Sequence, residues 1–203
     1  MATGTISLNI DLAGIKVSGA QITKTEEGQI SHQVALAAGN AGTLSTRTSA
    51  SAGTATLAAD HTIETSDVVD VFWTGGVRYG VTVGTVDGVS VPLSDSGDGD
   101  DYPTEDDAII VTQQVVIDSD FDGDDIEMIA CHCDQRAHLD FLEDDNTQLD
   151  ELELTSTQPV WYWIDDGVNA NPLTGNAVGQ IRASNGSIIA ATLKIGILYN
   201  SAT

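Results

Sequence analysis

The run at 189–199, "IAATLKIGILY", decides the fold class. Ile189, Ala191, Leu193, Ile195, Ile197 and Tyr199 form one apolar row. Ala190, Thr192, Lys194, Gly196 and Leu198, a smaller and more polar set, lie between them. A repeat of two residues marks a strand with one face in a core. Just upstream, Ala177, Gly179, Ile181 and Ala183 alternate with Val178, Gln180, Arg182 and Ser184. Asn185-Gly186 separates the two runs, and this pair favours the two-residue turns whose central residues both need positive φ. The sequence therefore predicts a C-terminal β-hairpin.

The same alternation extends backwards. Ala137, Leu139 and Phe141 interleave with Arg136, His138 and Asp140; residues 143–146 make a turn, and 149–154 returns. "PVWYWI" (159–164) is a short aromatic strand closed by Asp165-Asp166-Gly167, and "AIIVTQQVVI" (108–117) and "IEMIACHC" (126–133) complete the set. Many short strands at this spacing predict a β-sandwich of jelly-roll type. In the first half, residues 66–93 read as three consecutive strands broken at Gly75-Gly76 and Asp87-Gly88, a meander or small barrel.

The expected organisation is all-β throughout, because no segment holds a 3.6-residue period. It divides into N-terminal strands (1–34), an Ala/Gly/Ser/Thr-rich segment (35–60), a β meander (61–93), an acidic linker (94–107) and an antiparallel β-sandwich (108–203). The 35–60 segment has few bulky residues to bury, so an arm, a loop or flat strands all suit it. The linker, "SDSGDGDDYPTEDD", is acidic, Gly-containing and broken by Pro103.

Charge narrows the partners. Thirty-one acidic residues oppose seven Lys and Arg across 203 residues, a formal net charge of −24. Such a surface repels phosphate backbones and anionic lipid, so neither direct nucleic-acid binding nor membrane association is expected. The start, "MATGTISLNIDLAG", has no basic segment leading into an apolar run, and nothing approaches the ~18 apolar residues of a membrane span. Synthesis in the cytoplasm is the expectation.

Candidate chemistry centres on 118–129, "DSDFDGDDIEMI". Asp118, Asp120, Asp122 and Gly123 match positions one, three, five and six of an EF-hand loop. Position twelve, where a bidentate carboxylate belongs, is Ile129, and the flanks are β-branched strands instead of helices. What survives is a Ca2+ site on Asp118, Asp120, Asp122 and Asp124, weighed against a solvated acidic turn. Cys131-His132-Cys133 lacks the spacing of a zinc site, and the two thiols share one strand face, so they read as small core hydrophobes. No G-x-S-x-G elbow, P-loop or H-E-x-x-H is present, and no catalytic residue or cofactor is expected. Trp161, Tyr162 and Trp163 suit sugar stacking or core packing.

Residues 67–93, 121–130 and 171–201 carry a resemblance in composition to the β-rich virion proteins of tailed bacteriophages. What this implies is a structural part of a phage particle, a capsid decoration protein or a tail component, localised to the virion. Its partners would be copies of itself and other virion proteins. The competing expectation is a calcium-dependent adhesin or carbohydrate-binding module on the same sandwich.

Overall fold

The computed structural model describes residues 27–143, 147–164, 170–173 and 177–200. The strands expected before residue 27 and the turns at 144–146 and 165–167 lie outside this set. Fifteen strands, numbered in chain order, build the described chain, and among the described residues the only helical element is a short 3-10 turn, Gly123–Asp125.

Strand β1 (Glu27–Leu36) belongs to one body and the next seven to another. These are β2 (Asn40–Arg47), β3 (Gly53–Leu57), β4 (Val68–Trp73), β5 (Gly76–Thr82), β6 (Ser90–Leu93), β7 (Asp98–Gly99) and β8 (Ala108–Gln113). They form one antiparallel sheet in the order β6-β3-β2-β8-β4-β5-β7. The sheet curls until its edge strand β6 meets the chain leaving β5: Val83, just past β5, bridges Leu93 of β6, and Gly84 donates its N–H to the Pro92 carbonyl. Val69, Val71, Val81, Val91, Val111 and Leu44 fill the interior of this small, partly closed barrel. Pro92 is tolerated because β6 is the last strand of the ladder, where a missing N–H costs little.

The remaining seven strands join β1. They are β9 (Val115–Asp122), β10 (Ile126–Cys133), β11 (Ala137–Leu142), β12 (Gln148–Leu154), β13 (Val160–Ile164), β14 (Ala177–Asn185) and β15 (Ala191–Asn200). They make two four-stranded antiparallel sheets, β1-β15-β10-β13 and β12-β11-β14-β9. Counting only these eight strands from one to eight, the orders are 1-8-3-6 and 5-4-7-2. That is a jelly roll, two interlocked Greek keys in which consecutive strands lie in opposite sheets except β11 and β12, which pair as a hairpin. Leu36, Ile129, Cys131, Leu193, Ile195 and Ile197 from one sheet meet Ile117, Leu139, Phe141, Ile181 and Ala183 from the other. Each fully buried Leu, Ile or Phe contributes roughly 1.5–3 kcal/mol by leaving water. The barrel is thus an insertion between the first and second strands of the jelly roll.

The all-β class, the sandwich and the barrel agree with the sequence, whereas several connections do not. No C-terminal hairpin forms, because β14 pairs with β9 and β11 while β15 pairs with β1 and β10. Asn185-Gly186 turns the chain from one sheet into the other. The buried Asn185 amide donates to the Ala37 and Ile189 carbonyls, and Gly186 is required for space, since a Cβ there would lie 2.6 Å from the Phe72 ring. The inward face of β14 also switches: Val178 is buried but Ala177 is exposed, because β9 carries one extra residue in its register opposite Val178 and Gln180.

The 35–60 segment forms strands, in a curled and not a flat sheet. Its residues make β2 and β3, with Leu44, Ala55 and Leu57 buried and ladder partners on both sides. Nor does 94–107 act as a free spacer. Tyr102 is buried in the barrel core, and β7 lies against β5. Gly97 allows that approach, with φ of 76° and no room for a Cβ, which would fall 2.1 Å from the Tyr79 carbonyl oxygen. The three strands expected over 66–93 exist, but β6 pairs with β3 and not with β5 along its length, so they are no meander. The single strand expected at 108–117 is two. Residues before Gln114 finish the barrel and those after it start the jelly roll, so the boundary between bodies falls within a β-branched run that carries no turn signal.

A buried histidine–carboxylate cluster between barrel and jelly roll

Strand β11 explains the site. Ala137, Leu139 and Phe141 point into the jelly-roll core, which puts His138 and Asp140 on the sheet's outer face. An outer face would ordinarily be solvated, yet both are buried because the barrel covers them. On the same face, antiparallel pairing sets Glu151 of β12 opposite Asp140, and Ser184 of β14 opposite His138.

The barrel supplies Asp70 and Tyr79. Val69 and Val71 occupy the barrel interior, so Asp70 and Phe72 between and beside them face the jelly roll. A register shift opposite Val69 and Val71 falls at Tyr79–Gly80, and Gly80 adopts φ of 67° there. The bulge brings the Gly80 N–H to Asp70 Oδ1 at 2.9 Å. Gln114 Nε2 donates to the same oxygen at 2.8 Å, and the Ser184 hydroxyl donates to Asp70 Oδ2. The buried carboxylate is thus held by three donors from both bodies, as a buried charge must be.

His138 lies at the centre. Its Nδ1 faces Asp70 Oδ2 at 3.5 Å, and its Nε2 faces Asp140 Oδ1 at 3.6 Å and Glu151 Oε2 at 3.8 Å. Neither ring nitrogen has a hydrogen-bond partner. Tyr79 stacks on the imidazole, with ring centroids 4.4 Å apart. Burial works against a proton on His138, but the contact with Asp70 and the charges of Asp140, Asp70 and Glu151 outweigh it, so its pKa rises. Burial pushes the Asp140 carboxyl up to about 6, with His138 pulling it down and Asp70 and Glu151 pushing it up. Burial, and then a hydrogen bond with Glu151, hold the Tyr79 phenol above its ordinary range. Gln148 Nε2 reaches Glu151 Oε2 at 3.2 Å and Asp140 Oδ1 at 3.4 Å, tying the two carboxylates together. A cleft of about 200 Å³, lined by Val77, Tyr79, Gly99, Asp100, His138, Glu151 and Glu153, opens onto the group.

A second set of contacts locks the bodies beside this cluster. The Arg136 guanidinium donates to the carbonyls of Trp73 (2.7 Å) and Gly76 (3.0 Å) and to Glu153, and lies 5.1 Å from the centroid of the Phe72 ring.

The aspartates singled out from the sequence are arranged otherwise. Asp118 is exposed on β9, Asp122 caps the 3-10 turn by accepting the Asp124 N–H at 2.9 Å, and Asp124 sits in that turn. The side chain of Asp120 lies outside the described residues. Among the described residues the three-ligand grouping of His, Cys, Asp or Glu is His138, Asp140 and Glu151. Cys131 and Cys133 are both free and buried, as the alternation of β10 predicts. Trp163 belongs to the core, Trp161 packs against it, and Tyr162 alone of the three rings faces solvent. No helix among the described residues is long and apolar enough to cross a membrane.

Comparisons of the chain with known protein families, with curated proteins and with solved structures find no match.

Proposed function

We infer that this chain is a structural subunit of a virion, a capsid decoration protein or tail component, acting through contacts with copies of itself and with other virion proteins. The observation that carries the reading is the eight-strand jelly-roll order, an architecture on which viral capsid subunits are built. This is an argument from fold, and surface features support it. Edge strands β9 and β12 carry aspartates and glutamates that oppose strand addition, whereas β13 is a short aromatic edge without charge. Tyr162 on that edge is 56% exposed, and Ile188 and Ile189 stand out between β14 and β15. A charge of −24 keeps assembled particles dispersed.

Sedimentation of the purified protein and negative-stain imaging, each with and without chelator, test the reading. Rings, tubes or a symmetric oligomer are expected. A monomer that binds glycan only when calcium is present would replace this reading with the sugar-binding one.

A further inference from the structure

We propose that His138, Asp140 and Glu151 form a binding site for one divalent first-row transition ion, Zn2+ foremost, with Asp70 as the carboxylate behind the histidine. The site uses side chains of both bodies, and it stands whether or not the chain assembles.

His138 carries the argument. The residue is 2% exposed and Nε2 lacks a hydrogen-bond partner, a costly state for a buried polar group. Nε2 is flanked almost equally by Asp140 Oδ1 and Glu151 Oε2, at 3.6 and 3.8 Å. A single N–H aims at one acceptor and closes on it, so this spacing is poor for a proton. It suits an ion. Zinc bonds of ~2.0–2.2 Å set tetrahedral ligand atoms about 3.3–3.6 Å apart. The two gaps to Nε2 close by a few tenths of an ångström, and all three ligand atoms lie within 4.8 Å of one another.

The surroundings match what a metal-bound imidazole needs. A ligating histidine directs its other ring N–H to a carboxylate, which fixes the tautomer and strengthens the donor. Asp70 Oδ2 occupies that place at 3.5 Å from Nδ1, and Asp70 is itself fixed by Gly80, Gln114 and Ser184. Gln148 orients the two carboxylates. Three carboxylates surround one imidazole, with Arg182 as the further charge acting on Asp140. A dication neutralises that excess. One nitrogen and two oxygens select a zinc-like ion over Ca2+, which takes six to eight oxygens. Three protein ligands leave a fourth position, facing the cleft below Tyr79, for water or an incoming group.

The test uses the full chain, stripped with chelator and titrated with Zn2+ by calorimetry and with Co2+ by visible absorption. Excess Ca2+ is present throughout to occupy the acidic surface. One equivalent of Zn2+ per chain is expected, with ligand-field bands for Co2+ and a higher thermal midpoint on Zn2+ addition. His138→Gln and Glu151→Gln should each weaken binding at least tenfold and abolish the Zn2+-dependent stabilisation, while Asp118→Asn should do neither. Glu151 is half-exposed, so E151Q decides the matter if H138Q fails to fold. Absence of stoichiometric binding, or binding that survives E151Q unchanged, overturns the proposal. So does binding that D118N removes.

Discussion

Asp70 of the barrel and His138 of the jelly roll face each other at 3.5 Å, both almost wholly buried and 68 positions apart in the chain. Neither body encloses this pair by itself. Asp70 also holds Gln114, the residue at which the chain crosses from one body to the other, and Ser184 on the strand beside that of His138.

Replacing Asp70 with Ala leaves the Gly80 N–H, the Gln114 amide and the Ser184 hydroxyl without their acceptor. Removing one member of a buried charged network costs about 3–5 kcal/mol. Urea unfolding should show a loss of that size. A loss below about 1 kcal/mol would mean that the junction is wetter or looser than described.

Arg136 makes the second lock through two backbone carbonyls and the face of Phe72. Arg136→Ala should destabilise by about 2–3 kcal/mol, because charged hydrogen bonds and stacking are lost together. Arg136→Lys should recover little, since an ammonium cannot bridge two carbonyls with a planar fork. Chemical denaturation of both variants, with proteolysis across 113–115, measures the effect. Equal stability of R136K and the parent would contradict it.

Gly186→Ala places a methyl group 2.6 Å from the Phe72 ring. Overpacking of this kind costs about 1–3 kcal/mol. The double variant with Phe72→Leu should be less destabilised than the sum of the two single changes, and a thermal-melt double-mutant cycle reads that coupling.

Burial pushes the Cys131 thiol up to about 12, and Cys133 is raised as well, first by burial. A thiol with a raised pKa holds little thiolate near neutrality, and thiolate is the reactive form. Alkylation at pH 8 should therefore be negligible in the folded protein and complete in denaturant. Rapid labelling of Cys131 under native conditions would show that β10 opens.

Tyr162 lies on the uncharged edge of the sheet β1-β15-β10-β13. If the chain assembles through that edge, Tyr162→Lys should shift sedimentation towards the monomer without lowering the thermal midpoint. Unchanged assembly in Y162K would move the contact elsewhere, with the exposed pair Ile188 and Ile189 the next surface to alter.

Much of the architecture was legible because strands announce themselves by alternation. The inward rows of β11 and β15 follow the sequence pattern from Ala137 and from Ala191 onward. Connections were harder to read. Asn185-Gly186 has the chemistry of a tight turn, yet its amide bonds to Ala37 across the fold and its missing side chain makes room for Phe72. Neither need is local, so neither leaves a mark nearby. The crossing at Gln114 is hidden for a related reason: β8 and β9 are both rich in branched residues, and no glycine or proline separates them.

The cluster was half visible. Alternation puts His138 and Asp140 on one face, and the chain's return over 149–154 brings acidic residues beside them, but the pairing of Asp140 with Glu151 depends on a register shift at Phe141–Leu142. What no pattern shows is that a barrel built from much earlier residues would cover that face. The acidic run at 118–124 has a regular spacing within one stretch, whereas the residues of the buried group come from two neighbouring strands.

The insertion of the barrel also orders events during synthesis. Every barrel strand has left the ribosome once Gln113 emerges, so that body can close early. Strand β1, made before it, must wait for its ladder partner in Ala191–Asn200. Until then Leu36 has nowhere dry to go, and a nascent chain stalled in that interval is the species that chaperones would meet.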